Sequence, residues 1–232
     1  MATLLIDHGN TNVKFALLEN GQVKSCPRQG VDHLVDALAL SEGDVWLSSV
    51  GDATLRERIA AQCVGMARNC HRIKIEQHAD KVMTRYDIQS MGVDRWLVLL
   101  GCHQRKLYPC VVVDSGTATT IDLMNAQGEH EGGYILPGLS LAKSALTANT
   151  CIPEQPELAQ HVKIPASTAE TMNFSMPAAT AALAEQCASS LANNATIILT
   201  GGGAAALSAH LSSPVIQEDQ LVFEGLAALA NK

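Results

Sequence analysis

Apolar residues fall in short runs separated by polar turns from the start of the chain. Residues 3–7 and 12–18 read as strands flanking the turn Asp7-His8-Gly9-Asn10-Thr11, and Asn20-Gly21 turns the chain into a third strand near 22–25. The stretch 30–40 is weakly helical, 44–50 reads as a strand, and 52–67 as a helix capped by Asp52. A short strand is predicted at 71–76, and a helix over 92–105 with a polar first turn and an apolar body. After residue 110 comes an unbroken apolar run, a glycine turn, another strand, an Ala-Gln-Gly turn, a third strand, and a Pro-Gly step into a helix. Residues 168–191 read as largely helical with Pro177 as a candidate break. The segment 195–211 reads as a strand, a glycine turn and a helix, and 221–231 as a final helix. Strands alternating with helices argue for α/β layers.

The pattern repeats once. Asp7-His8-Gly9-Asn10-Thr11 aligns with Asp114-Ser115-Gly116-Thr117-Ala118, 107 residues later, and each is followed by a glycine turn (Gly21, Gly128) and a third strand. Two related halves are expected, 1–107 and 108–232, with the boundary near the charged, proline-containing stretch 105–109. A solenoid is excluded, because the period is too long and occurs only twice.

Composition narrows the class. Of the 232 residues, 47% are apolar and 17% charged, enough apolar content for an ample core, while 3% aromatic content makes that core aliphatic. A net charge of -7 without a basic tract argues against a nucleic-acid partner. No run approaches the ~18 apolar residues of a membrane span. The first residues enter a strand without a basic leader, so a cytoplasmic protein is expected. The seven cysteines are irregularly spaced, which is not a disulfide framework. Cys63, Cys70 and His71 come nearest to a metal cluster, but no second pair has zinc spacing.

An ordinary hairpin explains either Asp-x-Gly turn taken alone, since Asp and Asn satisfy turn amides and Gly accepts unusual dihedrals. Two copies suggest more. Turns facing one cleft would offer backbone N–H groups and the hydroxyls of Thr11 and Thr117 to an anion, and Asp7 and Asp114 would tolerate phosphate only with a cation such as Mg2+ between them. Lys14 lies beyond the first turn, where it either reaches phosphate or faces solvent. Gly201-Gly202-Gly203, between a strand and a helix, suits an adenosine shelf as well as plain packing. No P-loop is present. At Gly92-Val93-Asp94-Arg95, a helix cap with a surface salt bridge competes with a catalytic pair: Asp94 taking a proton from an attacking hydroxyl, Arg95 holding a carboxylate or phosphoryl group. His8 reads as a tolerated turn side chain rather than a base.

The stretches DHGNTNVKFAL, GVDRW, DSGTATTIDL, GGYILPG and TGGGA, in this order, make the chain resemble the type III pantothenate kinases of the acetate kinase, sugar kinase, Hsc70 and actin superfamily. The resemblance implies two ribonuclease-H-like domains of the actin-like ATPase fold around a central cleft, a homodimer, and ATP-dependent phosphorylation of pantothenate, which opens coenzyme A synthesis. It makes Asp7, His8, Gly9, Asn10, Thr11, Asn12, Val13 and Lys14 the first phosphate loop, with Asp7 the magnesium-associated acid. It also implies ATP contacts at Thr117, Gly201 and Gly202. Gly92, Val93, Asp94 and Arg95 match the pantothenate-contacting stretch, Asp94 being the family's base. Asp114 matches a monovalent cation site, K+ or NH4+, which displaces magnesium there. Thr168, in Pro165-Ala166-Ser167-Thr168, and Tyr86 match substrate contacts. Pro165 stands where the family has glycine, and Tyr86 lies six residues before Gly92 instead of seven, departures that touch the acceptor side. Two alternatives follow: a non-catalytic accessory protein keeping the kinase fold, or a kinase for another small hydroxy acid.

Overall fold

The computed structural model describes residues 2–27, 29–158, 162, 164–191 and 195–231. The chain forms two units, Met1–Leu107 with Gln220–Lys232, and Tyr108–Asp219.

The first unit is built on a five-stranded sheet of order β3-β2-β1-β4-β5, with β1 (Thr3–His8), β2 (Val13–Glu19), β3 (Gln22–Ser25), β4 (Val45–Ser49) and β5 (Cys70–Arg72). β1 pairs antiparallel with β2 and parallel with β4. A central strand covered on both faces reads as a continuous apolar run, and Leu4, Leu5 and Ile6 are fully buried. Leu4, Ile6, Val13, Phe15, Val45 and Leu47 form one core with Leu38 of α1 (Leu34–Ala39) and Ile59 and Cys63 of α2 (Ala53–Gly65). α2 starts where expected, the Asp52 carboxylate accepting from Leu55 N at 2.9 Å. α3 (Val93–Gln104) has a buried body from Arg95 to Cys102.

The second unit repeats the plan. β6 (Cys110–Ser115), β7 (Ala118–Met124), β8 (His130–Pro137), β9 (Thr196–Thr200) and β10 (Val215–Gln217) are ordered β8-β7-β6-β9-β10, again with two antiparallel hairpin steps and parallel fourth and fifth strands. Val111, Val113, Ile121, Ile197 and Leu199 pack with Ala184 and Cys187 of α5 (Thr168–Ser190) and with Leu207 of α6 (Ala204–Ser208); α4 (Leu139–Asn149) precedes α5. The echo at Asp7 and Asp114 is therefore topological: each acid is the penultimate residue of the first strand of its sheet.

Four elements depart from expectation. The last helix, α7 (Leu221–Ala230), was expected with the second half but groups with the first unit, where it crosses α3. Two glycines permit the crossing: a Cβ on Gly101 would lie 2.5 Å from Leu221 O, and one on Gly225 would overlap Leu97 O. α5 continues through Pro177, because Met172, Phe174, Pro177, Thr180, Ala181 and Ala184 are all buried along it and packing overrides the proline penalty of about 3 kcal/mol. β5 is confined to Cys70–Arg72, with a 3-10 turn at Ile75–Gln77; the alternation read as one strand comes from the separate burial of Ile73 and Ile75. β10 has three residues, too few to show a period.

Candidate active site

Strand register decides which side chains meet. Lys14 and Ser48 are the cross-strand neighbours of Asp7, so Lys14, Asp7 and Ser48 form a row on one face of the first sheet. His8 points to the opposite face with its neighbours Val13 and Ser49. The turn closes by Gly9 N donating to Asn12 O at 3.0 Å, leaving Asn10, Thr11 and Asn12 exposed at the tip. The His8 and Val13 side chains are buried, 2% and 3% exposed, so these two members of the expected phosphate loop offer a ligand backbone only. Burial lowers the His8 pKa; Asp52 opposes the shift and Arg56 adds to it.

The loop from β4 to α2 supports this turn. Val50 N and Gly51 N both donate to His8 O, at 3.0 and 3.3 Å. A Cβ on Gly51 would overlap Gly9 O and the His8 imidazole, so the approach requires glycine.

At the start of α3, Asp94 Oδ1 accepts from Arg95 N at 2.7 Å and lies 2.6 Å from where a Gly92 Cβ would be. Arg95 is not the surface partner of a cap. It is 5% exposed, and its guanidinium lies over the Tyr86 ring, 4.7 Å from the centroid, so two expected acceptor residues meet.

In the second unit, Thr120 and Thr200 flank Asp114 across the sheet as Lys14 and Ser48 flank Asp7. The second turn closes by Gly116 N donating to Ala118 O at 3.0 Å and is held from two sides, by Gly138 N on Thr117 O (3.1 Å) and Gly203 N on Ser115 O (2.9 Å). Thr117 is exposed at its tip. Gly201 has φ +82° and packs so closely that a Cβ would lie 2.5 Å from Asp114 Oδ1, whereas a Cβ on Gly202 would meet nothing within 4 Å. Thr168 opens α5 behind a capping box, Ser167 with Glu170, and lines a cavity of about 560 Å³ with Lys143, Ile152, Pro165, Thr171 and Met172.

Among the described residues no group of three His, Cys, Asp or Glu could hold a metal, and His71 bonds Asp44 at 2.7 Å. That leaves single carboxylates. Asp7 suits a magnesium ion that takes its remaining ligands from phosphate and water. Asp114 Oδ1 and Ser115 O both lie against Gly201, two oxygens that could serve a hard monovalent ion.

Sequence reasoning passed over Ser49 and Gly51, and met Gly138 only as the end of the GGYILPG stretch. The signal was present for Gly51: Ser48-Ser49-Val50-Gly51 is the first-half counterpart of Thr200-Gly201-Gly202-Gly203, a strand end running through glycine into a helix.

Two repeated α/β sheets, each carrying an acid before a clasped hairpin turn, define a protein of the actin-like ATPase fold. The fold recurs in a Campylobacter jejuni protein whose given name places it in a Baf family of transcriptional activators, with TM-score 0.68 and 22% identity over 98% of this chain and 97% of that one. It recurs also in the activator of the 2-hydroxyisocaproyl-CoA dehydratase from Clostridium difficile with bound ADPNP, with TM-score 0.52 and 12% identity over 99% and 94%. The type III pantothenate kinase family profile matches residues 3–190, and the chain belongs to that family. Relatives named type III pantothenate kinase include those of Chromobacterium violaceum, 34% identical over 98% of this chain and 99% of the relative, and Aromatoleum aromaticum, 31% over 99% and 98%. That of Pseudoalteromonas translucida is 38% identical over 63% of this chain and 61% of its own.

Proposed function

We propose that the chain phosphorylates pantothenate with ATP, giving 4'-phosphopantothenate and ADP, the first step of coenzyme A synthesis, in the cytoplasm. The observation that carries this reading is the pair of acid-bearing turns at one register in two repeated sheets, in a chain of this family. The first turn, Gly9 to Asn12 with Lys14, binds phosphate through N–H groups and a cation; the second contributes Thr117, and Gly201, packed against Asp114 and Ser115, sets the shelf on which Gly202 leaves backbone open to adenosine. Tyr86, Gly92, Val93 and Arg95 hold the acceptor in the first unit, and Thr168 is assigned as a further acceptor contact.

Asp94 is the general base. Its carboxylate, fixed by the Arg95 amide, takes the proton of the pantothenate primary hydroxyl as that oxygen bonds to the γ-phosphorus and the bond to the β-γ bridging oxygen breaks, releasing ADP. Asp7 would hold a magnesium ion and Asp114 a monovalent ion, which would supply positive charge against the phosphates.

Exposed Tyr134 and Ile135 of β8 and Leu141 and Leu146 of α4 support a homodimer. The activity is tested by following ADP release with ATP, Mg2+ and K+ across small hydroxy acids, with the product identified by mass. Turnover of pantothenate alone is expected; turnover of another acceptor, or of none, refutes the assignment.

A further inference from the structure

His8 is a large polar side chain that phosphate binding does not use, yet it is 2% exposed immediately before the first turn. A buried imidazole is costly unless it is hydrogen-bonded, and here Nδ1 lies 3.0 Å from Ser49 Oγ, on the residue paired with it across β1 and β4. The same residue is held by its backbone, its carbonyl accepting from Val50 and Gly51. Gly51 presses on both the imidazole and Gly9 O. The loop reaches further within the unit: Val50 Cγ1 is 3.9 Å from the point where a Gly92 Cβ would sit, and Asp94 Oδ1 is 2.6 Å from that point. Residues 49–51 thus join the phosphate turn on one side to the start of α3 on the other.

We propose that His8, locked by Ser49, is a positioning residue that sets the first phosphate turn against the helix start carrying Asp94, and so aligns the γ-phosphate with the acceptor oxygen. It rests on the kinase reading of those two motifs. The second unit does the equivalent job without a large side chain: Ser115 stands where His8 does, its Oγ 3.3 Å from Thr119 Oγ1, while Gly203 holds its carbonyl. An imidazole fills the space between β1 and the β4–α2 loop and ties the two covalently distant segments through one hydroxyl.

The test compares Ser49→Ala, which removes only that hydroxyl, and His8→Asn, which keeps a polar group near the Nδ1 position, with Leu38→Ala as a core variant of lowered Tm. Misalignment lowers kcat and leaves binding intact, so both brace variants are expected to lose roughly 10-fold in kcat. The ATP Kd by calorimetry should change less than about 2-fold, and phosphopantothenate formed per ADP released should fall. Ser49→Thr, which restores the hydroxyl, should recover the coupling. Wild-type kcat and coupling in both variants, or an equal loss in Leu38→Ala, would overturn the proposal. Absence of pantothenate turnover in the wild type would instead sink the kinase reading. Amide exchange at residues 9–12, measured without substrate, would then still decide the brace: faster exchange in Ser49→Ala supports it, and unchanged exchange refutes it.

Discussion

Gly201 and Gly202 are neighbours of the same type with opposite surroundings, so replacing each by alanine separates protein strain from ligand contact. At Gly201 the new Cβ would lie 2.5 Å from Asp114 Oδ1 and 2.6 Å from Ser115 O, against ordinary contact beginning at 3.4 Å, so these atoms must yield by 0.9 and 0.8 Å. The residue also sits at φ +82°, where an L side chain costs about 1–2 kcal/mol. Overpacking of this kind adds about 1–3 kcal/mol. The sum, about 2–5 kcal/mol, is a large part of the roughly 5–15 kcal/mol that holds a domain folded. It corresponds to a Tm loss of roughly 4–20 °C at this chain length. At Gly202 nothing lies within 4 Å, so Tm should move by no more than about 1 °C. The proposed adenosine shelf nevertheless needs bare backbone there, so Gly202→Ala should weaken ATP roughly 10-fold. Thermal melts with and without an ATP analogue read both effects: Gly201→Ala melts early in either condition, while Gly202→Ala melts normally alone and loses the nucleotide-induced rise. Equal Tm losses in the two variants would refute the steric reasoning, and an undiminished rise in Gly202→Ala would refute the shelf.

Asp94→Asn should lower pantothenate phosphorylation by roughly 10²–10⁴-fold while calorimetry shows ATP binding retained; unchanged turnover removes Asp94 from the base role. Burial lowers the folded-state pKa of His8 beneath the ordinary 6.5, so between those two values the unfolded chain binds more protons and acidification destabilises the fold. Stability is expected to be full above about pH 6.5 and to fall as the pH drops toward the folded value, and His8→Asn should flatten this part of a Tm-against-pH curve; parallel curves contradict it. Gly225→Ala, whose Cβ overlaps Leu97 O, should cost about 1–3 kcal/mol and lower Tm by roughly 2–12 °C, whereas Gly65→Ala, with open space around it, should not; circular-dichroism melts distinguish the two.

The repeated hairpins were legible because a buried first strand, an Asp-x-Gly turn and an alternating second strand each leave a local mark on the sequence. α7 was legible as a helix but not as part of the first unit. Its apolar residues show that it is buried, and only the close approaches at Gly101 and Gly225 show against what. Pro177 misled for the opposite reason, since a strong local signal was outweighed by burial along 23 residues of helix. Within the site, carboxylates and glycines could be picked out by type and spacing. The orientation of His8 could not, because the pairing of β1 with β4 joins residues 41 positions apart, and that pairing turns His8 toward Ser49 and Asp7 toward Ser48.

The two turns share one frame yet are clasped differently, and the difference matches the work proposed for each. In the second unit the turn is held by bare backbone, Gly138 on one side and Gly203 on the other, and the next exposed position, Gly202, carries no side chain. A nucleotide can approach such a surface closely, at the entropic cost that consecutive glycines carry. In the first unit a single glycine, Gly51, makes the close approach, while His8 fills the space behind it and Val50 reaches toward Gly92. That side is built of packed side chains, which resist displacement better than glycine loops do. A phosphoryl transfer needs both properties: room for the nucleotide to enter and leave, and a stiff reference that keeps acceptor and phosphorus in line. Exchanging the two devices therefore should not preserve function: Gly202 replaced by a bulky residue should block nucleotide, whereas Val50→Gly should leave ATP binding intact and lower coupling.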